Sequence, residues 1–307
     1  MNSNLLKQNQ TRFKELNITK WQENKITGKG IKVGIIGFSP NSHHNGSDLI
    51  HQVAPGCEII EYNVMDNDTY RYTWEEAFTQ MIKDQVQVVC SSLEKGSWND
   101  NLVNLSKRMY EQNMIMITSS GNDGELIKKY PAKLNEWLTI GAYNERKRNR
   151  AGYSNYGQEL FGLGYTNYVC KNYKGDYVPI SHTSGTTQVI AGMAALLKET
   201  SNVTPSQFKK VMMDNAIKLV DKQHDIKTGY GLLALPSTVI KTPKPNSKKE
   251  EDTMFKDVKP TDWFYKAVMW AKEKGILKGY KDNTFRPNEP LTRAEYAQAE
   301  YNKYFNK

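Results

Sequence analysis

Long apolar runs are missing from this 307-residue chain: nowhere do eighteen apolar residues follow one another, so no stretch reads as a membrane span. The opening segment, MNSNLLKQNQTRFKELN, also lacks the apolar centre that a secretory leader carries after its basic residues. Cysteine is scarce. Cys57, Cys90 and Cys170 are odd in number and include no CxxC pair, which excludes a complete disulfide framework and leaves a zinc site without its ligand spacing. Each lies in or beside an apolar stretch, as buried free thiols do. No metal-ligand set or cofactor motif stands out, so neither a metal nor a cofactor is expected. Acids are the scarcer charge: 42 Lys and Arg against 33 Asp and Glu leave +9, and residues 241–307 hold 15 of those bases against 10 acids. A basic tail suits an anionic wall polymer, a membrane surface or nucleic acid, and the lack of any nucleic-acid motif argues against the last.

What the chain does have is a succession of short apolar runs rich in β-branched residues: IKVGIIGF at 31–38, EIIEYNVM at 58–65, VQVVCSSL at 86–93, MIMITSS at 114–120 and WLTIGAY at 137–143. Continuous apolarity over so few residues predicts strands covered on both faces. Amphipathic stretches at 73–84 and 101–113 fall between them. Strand, helix, strand in that order predicts an α/β fold, a parallel sheet with helices on both sides. Residues 186–198, TTQVIAGMAALLK, form an almost uninterrupted apolar helix suited to the middle of a domain. Thr204-Pro205 starts another helix, expected over 205–219, and TGYGLLAL closes the domain.

The composition then changes. Residues 241–253, KTPKPNSKKEEDT, have almost nothing to bury and read as a linker. The expected domains are an N-terminal extension over 1–26, a large domain over 27–240 and a small all-α module over 254–307. That module has one helix from Trp263 to Lys274 and a second from Thr292, where Thr292 and Glu295 have capping-box spacing.

The order of motifs from 27 to 235 resembles the subtilisin family of serine peptidases. TGKGIKVGIIG looks like its opening strand, VAPGCEI like its second, QVVCSSL like the strand that binds substrate and SSGNDG like the oxyanion strand and turn. YPAKLNEWLTIGAYN, AGYSNYG, HTSGTTQVIAGMAALL, TPSQFKKVMMDNA and TGYGLLAL follow in the family's order. The resemblance implies a subtilisin-like peptidase domain with Ser184 in the nucleophile position and Asn122 as the side-chain oxyanion donor. On the residues alone, Ser184 also serves as a helix cap and Asn122 as an ordinary turn residue. Gly37 stands where the family has its acid, so that group is lost. His44 is the base if Asn45 is an insertion ahead of Gly46, and the other reading is a solvated turn. His43 and His51 are weaker candidates, and Asp48 and Asp66 are the nearby acids. His182 replaces a family glycine, and Gly185 to Gln188 replace its run of small residues and proline.

From Phe255 to Tyr301 the chain resembles a single S-layer-homology (SLH) module, with Asp257-Val258, Trp263, Gly279-Tyr280, Phe285-Arg286-Pro287 and Thr292-Arg293-Ala294-Glu295 as landmarks. The resemblance implies binding to pyruvylated secondary cell-wall polysaccharide, with Arg293 and Trp263 as contacts. A guanidinium fork suits a ketal carboxylate. Such modules usually act in threes, so a single copy implies either a trimer between chains or weak binding. The sequence therefore supports a wall-targeted, catalytically impaired peptidase relative of a Gram-positive surface. An active serine endopeptidase with a rearranged base and a structural or adhesive component carried on a virus particle are the alternatives. A peptide or protein substrate or ligand is the expected second partner.

Overall fold

Alternation along the strands assigns their side chains to two layers. On β1 (Lys32–Phe38), Val33 and Ile35 enter one core while Ile36 enters the other. On β3 (Val88–Ser91), Val88 and Cys90 face one way and Val89 the other. Ile115 and Ile117 of β4 (Ile115–Ser119) oppose Met116. Period-two alternation with both faces apolar is what a sheet sandwiched between helices requires.

This computed structural model describes residues 2–38, 46–65, 72–172, 174–240, 255–259, 262 and 264–305. The chain divides into two units, Met1–Thr242 and Pro243–Lys307. In the first, β2 (Glu58–Met65), β1, β3, β4 and β5 (Trp137–Asn144) run parallel in that order. β6 (Asn149–Arg150) adds antiparallel to β5, and β7 (Leu160–Tyr165) adds parallel to it. β8 (Tyr168–Lys171) and β9 (Tyr177–Ile180) form a separate antiparallel pair. α4 (Trp74–Lys83) and α5 (Asp100–Glu111) cover one face of the sheet. The other face is covered by α3 (Gly46–Val53), α6 (His182–Ser201) and α7 (Pro205–Asp214).

Residues 1–26, set apart as an extension by the sequence, form α1 (Asn2–Glu15) and α2 (Ile18–Glu23). Phe13, Leu16, Ile18 and Trp21 enter the same core as α6. The Trp21 indole donates to the Pro236 carbonyl at 3.0 Å, and the buried Arg12 guanidinium pairs with Glu145. α6 is longer than the expected 186–198 and is buried along nearly its whole length. α7 is shorter than the expected 205–219. Its continuation is lost to tertiary pairing, since Ile217 exchanges two backbone hydrogen bonds with Leu232 at 2.8 and 3.0 Å. All three cysteines are buried and none is in a disulfide, and burial pushes the Cys57 and Cys90 thiols up to about 11 and about 12. The expected linker, 241–253, lies outside the described residues.

The second unit contains α8 (Tyr265–Glu273) and α9 (Arg293–Phe305). The capping box is formed: Thr292 Oγ1 accepts from Glu295 N at 3.2 Å, and the Glu295 carboxylate accepts from Thr292 N at 2.9 Å. Among the described residues no helix is long and apolar enough to cross a membrane.

Candidate active site

The sheet changes direction of growth at β1. β2 lies on one side of β1 and β3 on the other, so the crevice beyond their carboxyl ends is where an α/β sheet places a ligand. β4, the neighbour of β3, ends in Ser119-Ser120-Gly121-Asn122, and the entrance of α6 meets that turn.

Asn122 Oδ1 accepts from Thr183 N at 3.1 Å and from Thr183 Oγ1 at 3.0 Å. The amide oxygen thereby caps a helix entrance whose own N-cap, Ser181, supplies no side-chain bond. With the oxygen so used, the Asn122 amide nitrogen has no partner among the described residues and is left to donate outward. Ser184 follows Thr183, and its half-buried side chain has no hydrogen-bond partner among the described residues. Ser184 stands in the first turn of a 20-residue helix, the end whose dipole favours negative charge.

The turn carrying Asn122 is held by residues whose role the sequence did not disclose. Asn155 Oδ1 accepts from Asp123 N at 2.9 Å and from Glu125 N at 3.2 Å, and Asn155 N donates to the Gly121 carbonyl. Gly121 has φ +95°, and a Cβ there would stand 2.4 Å from the Asn155 amide nitrogen. The signal available in the sequence was Asn between Gly152 and Gly157, a composition that reads only as a turn.

His182 also escaped assignment. It enters α6 at φ +67°, a left-handed conformation unusual for a side-chain-bearing residue. Its ring packs edge-on to Tyr153 with centroids 4.9 Å apart, and its Nδ1 lies 3.2 Å from Ser181 Oγ.

The residues expected at the acid and base positions lie apart from Ser184 or outside the described residues. Gly37 is half-buried near the end of β1, in register with Asn63. Among the described residues a Cβ there would meet only Ile35, at 3.7 Å. Asp48 is engaged elsewhere: its Oδ2 accepts from Lys171 N at 2.9 Å and from Gln52 Nε2 at 2.8 Å. His51 is exposed, with Nε2 3.3 Å from the Cys57 carbonyl oxygen. His43, His44 and Asp66 lie outside the described residues. Among the described residues no imidazole is hydrogen-bonded to Ser184. The structure thus brings Ser184 and Asn122 to one helix entrance, and it places neither Asp48 nor His51 there. The described residues also hold no group of three or more His, Cys, Asp or Glu arranged for a metal.

In the second unit Arg293 is exposed at the first residue of α9, directly after Thr292. Trp263 lies outside the described residues. Asp257 accepts from the backbone N–H of Phe285 and of Arg286 at 2.8 and 2.7 Å, which ties the Phe-Arg-Pro turn to the start of the module.

Known proteins resemble both units. The model of the subtilase family matches residues 24–231, and that of the S-layer homology domain matches 255–297. The minor extracellular protease Epr of Bacillus subtilis is 30% identical over 212 residues, 67% of this chain and 32% of that protein. The chain thus spans about a third of that relative's length. The surface-layer 125 kDa protein of Lysinibacillus sphaericus is 45% identical over 49 residues, 16% of this chain and 4% of that protein. Among solved structures, a lanthipeptide protease superposes with a TM-score of 0.61 at 17% identity, over 71% of this chain and 90% of that one.

Proposed function

The chain belongs to the subtilase family, and from that premise we propose that it is a cell-wall-associated relative whose peptidase domain is catalytically impaired. The observation that carries the reading is Gly37. By resemblance it occupies the acid position, a Cβ there would meet no described residue but Ile35, and glycine can neither orient an imidazole nor stabilise its charge. Replacing a triad aspartate with a neutral residue costs on the order of ten thousandfold in turnover. Asp48, the nearest described acid in sequence, is bonded to Lys171 and Gln52. Purified protein is expected to show little turnover of unstructured protein and weak labelling of Ser184 by a fluorophosphonate probe. Gly37→Asp alone is expected to leave both unchanged. Robust turnover abolished by Ser184→Ala would overturn the reading.

One observation favours an active endopeptidase with a rearranged base: the Asn122 amide oxygen is already held by Thr183, and its nitrogen has no partner among the described residues. The same labelling experiment separates the two readings.

The SLH module supplies the anchor to cell-wall polysaccharide. We assign the ligand contacts to Arg293 and Trp263, with pyruvylated polysaccharide as the ligand and a Gram-positive wall as the setting. Support for association of modules comes from Trp270, Leu291, Tyr296 and Tyr301, each more than half exposed. Pull-down of the full chain by pyruvylated and depyruvylated walls tests the assignment. Retention should be greater on the former, fall with added salt and fall again in Arg293→Lys. Equal retention on both walls would remove the carboxylate contact.

A further inference from the structure

A cavity of about 410 Å³ opens at the amino ends of β5 and β7, where Trp137 begins the first strand and Leu160 and Phe161 begin the second. β5 runs parallel to β4, whose carboxyl end leads into Asn122, so the cavity lies at the opposite end of the sheet from Asn122 and Ser184. Its size falls in the range of about 300–1,000 Å³ usual for small-molecule sites. Trp137 and Leu160 are buried and give it an apolar lining. Tyr230 adds aromatic surface: its ring packs on Phe161 at 5.1 Å and on His224 at 5.0 Å, and His224 Nε2 donates to the Leu160 carbonyl at 2.9 Å.

Two charges in this lining have no counter-ion among the described residues. Lys209, half-buried on α7, donates to the Asn135 carbonyl and lies 5.8 Å from the Tyr110 ring centroid, yet it forms no ion pair with any described residue. Burial lowers its ammonium, and Glu136 acts against that shift without pairing to it. Glu159, half-buried just ahead of β7, has neither a hydrogen bond nor an ion pair with any described residue. The neighbouring Lys210 is already answered by Asp214 at 2.8 Å. Lys209 and Glu159 therefore share one cavity without pairing to each other. Half-buried charges left unpaired are unfavourable, and a ligand of opposite charge relieves that cost.

We propose that this cavity binds a free amino acid with an aromatic side chain, its carboxylate on Lys209, its ammonium on Glu159 and its ring against Trp137, Phe161 and Tyr230. Charge balance selects the zwitterion. A simple anion would satisfy Lys209 but be repelled by Glu159, and a simple cation would meet the reverse. The apolar lining selects the ring, since an amino acid without a side chain would leave that surface wet. The site shares no residue with the catalytic positions proposed above, so it stands or falls apart from them.

Calorimetric titration of the full chain with phenylalanine, N-acetylphenylalanine, phenylalanine amide and glycine tests this. Phenylalanine should bind about tenfold more tightly than either capped form, each of which lacks one charge, and more tightly still than glycine. Lys209→Met, which keeps the aliphatic stem, should weaken phenylalanine and N-acetylphenylalanine by about tenfold and leave the amide unmoved. Glu159→Gln should weaken phenylalanine and the amide and leave N-acetylphenylalanine unmoved. The wild-type comparison needs no variant to fold. Capped forms or glycine binding as tightly as phenylalanine, or no binding of any of the four at millimolar concentration, overturns the site. Losses in the two variants that do not depend on which charge the ligand lacks overturn the assigned contacts.

Discussion

The two units solve the same packing problem on different scales. In the first, a 20-residue helix runs buried between the sheet and α3, and the cores on the two faces of the sheet share its strands. In the second, the described core is Phe255, Val258 and Val268, with Phe264, Tyr265 and Phe285 packed partly against it. None of the described side chains of α9 is buried. Both use a glycine where backbone must approach closely. At Gly192 a Cβ would stand 2.6 Å from Val53 Cβ, and at Gly279 it would stand 1.9 Å from the Phe255 ring. The difference teaches where each unit is vulnerable. A large core spreads a local loss over many neighbours, whereas the small described core of the second unit leans on each of its members.

The largest expected effect is therefore Phe255→Ala. The ring is 4% exposed, packs on Phe285 at 5.3 Å and lies beneath the Lys272 ammonium at 4.3 Å. Its loss should cost ~3–5 kcal/mol, enough to unfold a small module by itself. Calorimetry should show the transition of the second unit disappear while that of the first is unmoved. A shift of both transitions together would show that the units do not melt independently.

Gly192→Val should act on the first unit alone. The new methyl groups collide with Val53 of α3, and overpacking of this kind costs ~1–3 kcal/mol. The first unit should melt several degrees lower yet still fold, and wall retention should be unaffected. A wild-type melting temperature would mean that α3 and α6 separate more easily than their packing implies.

The smallest effect concerns charge. Lys198, 4% exposed near the end of α6, donates to the Asn113 carbonyl at 2.7 Å, and burial lowers its ammonium to about 8. The unfolded chain keeps that proton up to about pH 10.4, so between about pH 8 and 10.4 it binds more protons than the folded one. This group's contribution to stability is therefore unfavourable below pH 8 and improves as pH rises through that window. Lys198→Met should abolish that rise. It should also stabilise the first unit at neutral pH by ~1–2 kcal/mol, after allowing for the donor lost to Asn113. Parallel pH profiles for the two proteins would refute this.

Much of the architecture was legible because its signals are local. Short β-branched runs announced β1 to β5, Thr204-Pro205 announced α7, and Thr292 with Glu295 announced the start of α9. Apolar continuity identified α6 as buried, though not where it ends. α1 and α2 were not legible as part of the domain, because MNSNLLKQNQTRFKEL has a polar composition. Their attachment rests on distant partners, with Arg12 bonded to Glu145 and Trp21 to Pro236. The end of α7 was misjudged for the same reason. The apolar pattern continues through Ile217, but the backbone of Ile217 is claimed by Leu232.

What the sequence alone determined is which residue types stand in which motifs: the serine and asparagine that we propose for the site, and the glycine near the end of β1 that we propose stands in place of its acid. Covalent order and side-chain chemistry suffice for that. Only the tertiary structure decided how those groups are used. The Asn122 oxygen is consumed in capping α6, so that its nitrogen remains to donate. Asp48 is engaged by Lys171 and Gln52, and a lysine 35 residues away occupies the space beside Glu94. Apart from the Asp48–Gln52 bond within α3, each of these depends on a hydrogen bond or ion pair between residues distant in sequence, and such pairings arise only when the folded chain brings them together.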